Sequence, residues 1–434
     1  MSKVASILFI VILFNIPLAK ADTITLRNAI EKALHNNYNM KAQDMQFKAS
    51  KYAYKKSLGQ RFPTLNASYT HTNNNVHYPS NKAYSNYTNN SNTAQLSGSL
   101  TIFSGGRISN EIKNSKLTKY IKKYQRENYQ YTLVYDVENA YINVLLAKEK
   151  LKIQNMKLKD AQNNLKIAKA KLDIGIGTKS SLLTVESNLS ETQMDLEDAK
   201  RNYINAKYDL AYYLSSSKLF DVDDSILNAK IKTPVKTDSR NIQDLSPIVI
   251  EANTLKQAHN NIRIAVSKFL PNVDLNYTLE RTTSSHLPDM NDANINLTFN
   301  IPIFTGFSRI NEYQEKKLEY LKTEQELKDK KMSISKNIKQ SLMDIKYAQS
   351  RLNFSKKFVR HSKEDYAATK EKFKLNLSTA YDLNNSQTNY YNSLFEEKNS
   401  QCQFLLSVFK FEYLTENIGK YYSKLIGLSF EAGN

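Results

Sequence analysis

Residues 137–172 read VENAYINVLLAKEKLKIQNMKLKDAQNNLKIAKAKL, and two lines of residues run through them at a spacing of seven. Large apolar residues form one line: Val137, Val144, Leu151, Leu158, Leu165 and Leu172. Three positions further on runs a line of small residues, interrupted only by Gln154: Ala140, Ala147, Ala161 and Ala168. A strict heptad over many turns predicts long helices that pack knobs-into-holes, and the small line predicts closely spaced backbones.

The same two lines recur in three further segments of the chain. They resume at 182–210 after a turn that contains glycines, and they return at 338–373 and 383–411, where serine is the commonest small residue. This duplication predicts two long helical hairpins. The helix from about Ile108 to Ile174 would be roughly 100 Å long, because an α-helix rises 1.5 Å per residue.

Period-two alternation of apolar and polar residues precedes each helical hairpin. It covers 65–70 and 94–102 in the first half, separated by an Asn- and Ser-rich stretch at 73–92 that we expect to be a loop. In the second half it covers 273–280 and 294–303, with a loop expected at 281–292. Alternation of this kind is typical of strands, so β-hairpins are predicted at about 65–103 and 273–303.

The start of the chain predicts a signal peptide. Lys3 precedes apolar residues 7–16, which are too few to span a bilayer, and Ala19-Lys20-Ala21 is an A-x-A cleavage site. We therefore expect residues 1–21 to be removed on export, so that the mature chain begins at Asp22. No other window approaches roughly 18 apolar residues, and no helical membrane anchor is expected.

The rest of the chain divides into two repeats and a connector. The first repeat is expected at 22–214, with its helical hairpin at about 108–214. A polar connector follows at 215–244. The second repeat is expected at 245–434, with a helical hairpin at about 308–418 and a C-terminal tail.

Charge and cysteine content restrict the possible partners. The net charge is +19, but the lysines fill helix positions off the apolar lines instead of clustering, which favours a solvated surface over a nucleic-acid site. Cys402 is the only cysteine, so no disulfide can form within one chain, and none stands at the cleavage site to carry a lipid. Because the chain is expected to be exported, we predict no nucleic-acid partner.

The strands have one apolar and one polar face, and this favours a membrane barrel shared between chains. Unpaired strand edges would leave backbone groups unsatisfied in hydrocarbon, and closing the sheet across several chains removes the edges. A soluble four-stranded sheet is an alternative. A filamentous coiled-coil protein is another, although it does not explain the β-hairpins.

No catalytic or metal-binding pattern stands out. The six histidines, His35, His71, His77, His259, His286 and His361, lack metal-ligand spacing. Phosphate-loop, nucleophile-elbow and zinc-protease motifs are absent from the sequence. We therefore expect neither an enzyme nor a cofactor or metal site.

Several short motifs accompany these features: Leu26-Arg27-Asn28-Ala29-Ile30 with Ala33-Leu34-His35-Asn36-Asn37, the strand entries at Pro63 and Pro271, Ile303-Phe304-Thr305-Gly306, and Gly175-Ile176-Gly177-Thr178 followed by Leu182-Leu183 and Glu186. In their order and duplication, over nearly all of the mature chain, they resemble the TolC-like outer-membrane efflux protein family.

The resemblance implies an α-helix-dominated homotrimer that forms an α/β barrel conduit. Three chains would build a β-barrel in contact with outer-membrane lipid, and their helices would extend it as a tunnel through the periplasm. A periplasmic adaptor and an inner-membrane pump or ABC exporter would feed the tunnel, in efflux or type I secretion. The alternative function is that of a periplasmic coiled-coil structural or adaptor protein.

The two turns between the long helices are the predicted tip, and we expect them to contact the adaptor. In the first turn, glycines are expected to take positive φ and a threonine to cap the next helix. In the second, an asparagine takes the permissive position and a capping box follows. The predicted contact residues are Gly175, Gly177, Thr178, Lys179, Asn376, Ser378 and Thr379.

Asp382 has two candidate roles. As the third residue after Thr379 it can stabilise the start of its helix, where the dipole favours a carboxylate. The resemblance implies in addition that it belongs to an acidic pore constriction at the closed end of the tunnel. The chain departs from the family at Asn385, which replaces a second acid, and at Ser378, which replaces a basic gating residue. Both roles of Asp382 remain open at this point.

Overall fold

The computed structural model describes residues 23–76, 87–228, 241–285 and 288–417, so the predicted signal peptide and C-terminal tail lie outside it. Its helices are α1 (Leu26–Asn36), α2 (Tyr38–Gly59), α3 (Arg107–Asp173), α4 (Lys179–Tyr213), α5 (Ser246–Ser267), α6 (Ser308–Lys374) and α7 (Ala380–Leu414). Its strands are β1 (Thr23–Ile24), β2 (Thr64–Val76), β3 (Tyr87–Phe103), β4 (Asp221–Val222), β5 (Asn272–Ser284) and β6 (Met290–Asn300).

The two halves of the chain have matching helices. The helices α2 and α5 each have 22 residues, α3 and α6 each have 67, and α4 and α7 each have 35. Residues with positive φ also correspond, as in Ser215 and Glu416, which follow α4 and α7 with φ of 48° and 51°. At 1.5 Å per residue, the 67-residue helices α3 and α6 are each roughly 100 Å long, as the heptad pattern predicts.

Close packing within each helical hairpin depends on the line of small residues. Ala161 is fully buried, whereas the large residues in the C-terminal part of α3, such as Leu158 and Leu165, remain partly exposed. In the second hairpin the hydroxyl oxygens of Ser362 in α6 and Ser393 in α7 are only 2.6 Å apart. This contact confirms that the small line brings the backbones together.

Short helices join the hairpins to the sheet. The side chain of Asn37, which caps the start of α2, donates to the carbonyl of Tyr213 at the end of α4. In the second half, the Glu416 carboxylate, just after α7, accepts from the backbone N–H of Ser246 at the start of α5. Each contact satisfies groups that a helix end leaves without an intrahelical partner. The start of α2 therefore lies against the end of α4, and the start of α5 lies against the end of α7.

The main apolar core lies where these helices meet. Tyr141 of α3 is fully buried there, and its hydroxyl lies 3.1 Å from the Ile24 carbonyl and 2.8 Å from the Asp223 carbonyl. These contacts hold the parallel pair β1–β4 against α3. In the described part of the chain, no helix is both long and apolar enough to cross a membrane.

The four long strands form one antiparallel sheet in the order β2-β3-β5-β6. Its register aligns the apolar residues of all four strands in rows across one face. One such row is Leu65, Gly98, Tyr277 and Ile295, and the adjacent rows are Ala67, Leu96, Leu279, Ala293 and Leu100, Leu275, Leu297. Polar rows alternate with them on the other face, including Ser97, Thr278 and Asn294.

The strands differ from the sequence prediction at both ends. Paired strand extends into segments predicted as loop, namely 73–76, 87–92, 281–284 and 290–292, because a backbone hydrogen-bond ladder does not require apolar side chains. At the opposite end β6 stops at Asn300, so the prediction that Ile301 and Ile303 belong to the strand is wrong. Pro302 between them has no N–H to donate to a ladder.

Candidate functional site

The fold brings the two predicted turns together at one end of the long helices. They line a shared cleft of about 660 Å³. Of the predicted contact residues, five face this cleft: Gly177, Thr178, Asn376, Ser378 and Thr379. Asp382 lines it too, whereas Gly175 and Lys179 lie outside it.

The first turn requires glycine at two positions for different reasons. Gly175 has φ of 78°, which side chains rarely adopt. The prediction of positive φ at Gly177 is wrong. A Cβ there would lie only 2.9 Å from the backbone nitrogen of Leu172, so the glycine provides space for a close approach. Thr178 then caps α4 by accepting from the N–H of Ser181 at 3.1 Å.

The second turn reproduces this geometry with other residues. Asn376 takes the left-handed conformation, with φ of 63°, which asparagine tolerates better than most residues. The Ser378 hydroxyl donates to the carbonyl of Thr369 at 3.2 Å. Thr379 and Asp382 form the predicted capping box, because the Asp382 N–H donates to the Thr379 hydroxyl oxygen and the Thr379 N–H donates back to the carboxylate.

The capping box determines the charge state of Asp382. Its carboxylate accepts from the Thr379 hydroxyl at 2.7 Å and from the Thr379 N–H at 3.0 Å. These hydrogen bonds, the side-chain one first, hold the pKa of Asp382 below its ordinary value of 3.8. Asp382 therefore places an exposed negative charge at the tip at neutral pH. Asn385 is exposed on the next turn and adds no charge.

Buried polar contacts that no sequence pattern predicts join the two hairpins near the tip. The Lys171 ammonium donates to the Phe373 carbonyl at 2.7 Å. Asn188 of α4 donates to the Gln387 side-chain oxygen of α7 at 2.9 Å. Their partners are about two hundred residues away, and no local pattern in the sequence reveals such pairing.

One carboxylate links three helices in this region. Asp160 of α3 accepts from the Lys370 ammonium of α6 at 3.1 Å and from the Tyr391 hydroxyl of α7 at 2.7 Å. Burial, followed by the hydrogen bond to Asp160, raises the pKa of Tyr391. Tyr366 and Tyr390 stack beside the network, with ring centroids 5.8 Å apart. The network ties the first hairpin to the second.

The chemistry of the tip is hydrogen bonding and charge. Within the four described ranges, no three His, Cys, Asp or Glu side chains come together as metal ligands would. Cys402 is fully buried far from the tip, and burial raises the pKa of its thiol to about 12. The arrangement can offer partner contacts and a charged rim to molecules that approach the end of the helices.

The whole fold is similar to that of a solved outer-membrane channel. The CmeC channel of Campylobacter jejuni matches with a TM-score of 0.80 at 17% identity, covering 90% of this chain and 85% of CmeC. At this identity the likeness establishes the fold alone. The described residues therefore share the fold of the CmeC chain.

Sequence relatives match over shorter stretches. TolC of Escherichia coli K12, an outer membrane protein, is 23% identical over 156 residues, or 36% of this chain and 31% of TolC. The outer membrane efflux protein BepC of Brucella suis biovar 1 is 20% identical over 215 residues, or 47% of this chain and 46% of BepC. The chain thus spans less than half the length of these relatives. The model of the family described as outer membrane efflux proteins matches residues 29–215 and 251–407, and by this match over most of its length the chain belongs to that family.

Proposed function

We propose that three copies of this chain form an exit duct that carries substrates across the periplasm and the outer membrane. The observation that carries the proposal is that, among the described residues, the outer strands β2 and β6 each lack a second neighbour, and large apolar side chains stay exposed at matching heights along α4 and α6. A second and third copy would cover these edges. The duct would extend from the outer membrane into the periplasm.

The edges of the sheet support closure between chains. In the described part of the chain, β2 and β6 each pair with one neighbour only. Such edges cannot stay open in hydrocarbon, so β2 of one copy would pair with β6 of the next. Four strands are too few for a membrane barrel, whereas three copies supply twelve. The number three follows from the family resemblance.

The edges of the helical layer support the same arrangement. Along α6, large apolar side chains are exposed: Leu318, Met343, Tyr347, Phe354 and Phe358. Exposed residues of α2 and α4 complement them: Met45, Tyr52, Met194 and Tyr208. At 1.5 Å per residue, Phe358 and Met194 both lie roughly 23 Å from the tip, and Tyr347 and Tyr208 both roughly 42 Å. Packing between copies would remove these surfaces from water.

The apolar rows that are aligned across the four strands support the placement of the sheet in the membrane. Three adjacent apolar rows stand on one face, and polar residues such as Thr278 and Asn294 occupy the other. A closed barrel would turn the apolar face to lipid and the polar face to a water-filled lumen. The strands have 11 to 17 residues, which is enough for the roughly 9–11 residues of a tilted membrane strand.

The tip would meet the periplasmic adaptor and carry the constriction. Its cleft is built from both turns; Ser378 lines the cleft, and Lys179 lies just outside it, between Thr178 and Ser180. Three copies of Asp382 around one axis would form an acidic ring at the closed end of the tunnel. An inner-membrane efflux pump or ABC exporter would energise transport, while the duct performs no catalysis.

The mass of the detergent-solubilised protein tests the assembly. For protein extracted from membranes with detergent, size-exclusion chromatography with light scattering should give the mass of three chains. A stable monomer would contradict the proposal. A periplasmic structural or adaptor protein would instead remain soluble after cell lysis.

Photocrosslinkers test the orientation of the duct. Crosslinkers at Lys179 and Ser378 should capture an adaptor in cells, whereas one at Lys317, an exposed lysine near the strand end of α6, should not. Capture at Lys317 alone would reverse the proposed orientation.

A further inference from the structure

A groove near the end of the sheet that connects to α3 and α5 is lined by four cations. It measures about 600 Å³ and lies where α3, α5 and α6 run side by side. Two cations come from α3 and two from α5: Lys113, Lys116, Lys256 and Arg263. All four are exposed, and they project from two facing helices into one space.

Within the described residues these four cations lack acidic partners, whereas several cations around them are paired. Arg107 and Lys123 on either side along α3 pair with Glu111 and Glu127 at 3.1 and 3.7 Å. Lys268, just after α5, pairs with Glu312 at 2.7 Å. By contrast, no carboxylate of the described residues lies within salt-bridge distance of the four groove cations. Their positive charge is left for a ligand.

A network of amides fixes the two helices that carry the cations. Asn114 of α3 donates to the Asn261 side-chain oxygen at 2.7 Å and accepts from Asn260 of α5 at 3.0 Å. Gln257 donates to the Asn114 carbonyl at 3.0 Å and to the Thr118 hydroxyl oxygen at 2.7 Å. Because these bonds hold α3 against α5, the two helices that carry the cations keep a fixed spacing without a ligand.

The remaining lining of the groove is largely apolar. Leu117 and Tyr120 of α3 and Leu255 of α5 contribute to it. On the side of α6, the ring of Tyr320 lies 5.8 Å from the ring of His259. A ligand that combines an anionic group with an apolar body would fit this lining better than a bare anion.

The groove lies close to the ends of the strands. Arg263 is roughly one turn from the end of α5, which leads into β5, and Lys113 is less than two turns from the start of α3, which follows β3. Most of the lining comes from α3 and α5, and α5 packs between α3 and α6 in the same chain. Neighbouring copies would contact each other through α2, α4 and α6. The side of α5 that lines the groove would then stay uncovered.

We propose that this groove binds the headgroup of an anionic phospholipid from the membrane leaflet that faces the periplasm. The inference rests on the proposed function, since the groove meets headgroups only where the sheet spans the outer membrane. The phosphate would lie among the four cations, and the glycerol and first acyl carbons would contact Leu117 and Tyr120. Lysine and arginine side chains near a bilayer surface attract anionic lipids in this way.

Native mass spectrometry of the full-length protein in detergent tests this site. The protein is titrated with dioleoyl phosphatidylglycerol and, separately, with zwitterionic dioleoyl phosphatidylcholine. The groove variant carries Lys113→Gln, Lys116→Gln, Lys256→Gln and Arg263→Gln. A control variant carries the same charge change at four exposed lysines far from the groove, Lys159→Gln, Lys166→Gln, Lys169→Gln and Lys346→Gln. The groove variant should lose at least tenfold in phosphatidylglycerol affinity, and the control should bind like the native protein.

Three results would overturn the inference. An equal loss in both variants would show attraction by net charge alone. Equal binding of the two lipids by the native protein would show that the negative charge is not recognised. Displacement of phosphatidylglycerol by millimolar inorganic phosphate would identify a site for free anions.

Flotation with phosphatidylglycerol-containing vesicles separates this inference from the proposed function. If the native protein does not insert into the vesicles, both the duct and the lipid site fail. If it inserts and the groove variant retains phosphatidylglycerol as tightly as the native protein, only the lipid site fails.

Discussion

The Lys171 ammonium lies 4.2 Å above the ring of Phe373 and donates a 2.7 Å hydrogen bond to the carbonyl of the same residue. Phe373 is in the last turn of α6, where its carbonyl also accepts from the Asn376 N–H at 3.2 Å and the helix dipole favours a cation. Burial lowers the pKa of Lys171. The contact joins the end of one long helix to the end of the other.

Replacing Lys171 should loosen the tip. Lys171→Met keeps the apolar stem but removes the hydrogen bond that the charged ammonium donates to the Phe373 carbonyl. We therefore expect the free energy of local opening to fall by about 1–2 kcal/mol. Hydrogen exchange at the amides of Leu375 and Asn376, measured by mass spectrometry, should become faster. Lys169→Met, an exposed change two residues away on the same helix, is the control. Unchanged exchange in Lys171→Met would show that the contact does not stabilise the tip.

Cysteine pairs should crosslink neighbouring copies at matched heights. Tyr347→Cys combined with Tyr208→Cys should give a covalent trimer with a short bis-maleimide, because both positions lie roughly 42 Å from the tip. Cys402 is buried with a raised pKa and should not react. Tyr347→Cys combined with Met194→Cys is offset along the axis by roughly 19 Å and should crosslink far less. Equal crosslinking of both pairs on denaturing gels would argue against the proposed packing.

The heptad lines made the helices predictable. The heptad period can be read from residues that are close in sequence. The line of small residues also indicates which face of each helix packs most closely, as the contact between Ser362 and Ser393 confirms. The strands were predictable only where their side chains alternate. Residues 73–75 and 88–92 are polar, and their pairing depends on backbone groups, which leave no pattern in the sequence.

The candidate site was predictable only in its local parts. The caps at Thr178 and Thr379 depend on residues three positions apart, and both were predicted correctly. Gly177 was misjudged because its need for space arises from the backbone of the previous helix. The bonds of Lys171 and Asp160 span the two repeats, and only the folded chain brings their partners within reach.

A charge placed on either face of the sheet should distinguish lipid from lumen. Leu297 belongs to an apolar row with Leu275 and Leu100, and Thr298 belongs to a polar one. Leu297→Arg should lower the free energy of unfolding in lipid by about 2–4 kcal/mol if the residue lies near the bilayer midplane. Thr298→Arg should cost much less, because water in the lumen solvates the guanidinium. Urea unfolding in vesicles measures both, and equal costs would speak against a membrane barrel.

Asp382 provides the last prediction, because its two candidate roles depend differently on pH. As a cap alone, its pKa stays below 3.8, so its stabilisation of α7 is present above that pH and is lost as the pH falls through the lowered pKa. In a ring of three, the carboxylates repel, which raises their pKa and attracts cations. Divalent cations added from the periplasmic side should then block single-channel conductance, and the block should weaken as the carboxylates take up protons.

Three variants separate the cap from the ring in planar-bilayer recordings. Asp382→Asn removes the charge but keeps a side-chain oxygen that can accept from Thr379, so cation block should fall about tenfold while the helix start persists. Thr379→Ala weakens the cap but keeps the carboxylate, so block should remain. Asn385→Asp adds an acid one turn further along α7 and should strengthen block. If Asp382→Asn leaves the block unchanged while Thr379→Ala abolishes it, Asp382 acts only as a helix cap and the constriction lies elsewhere.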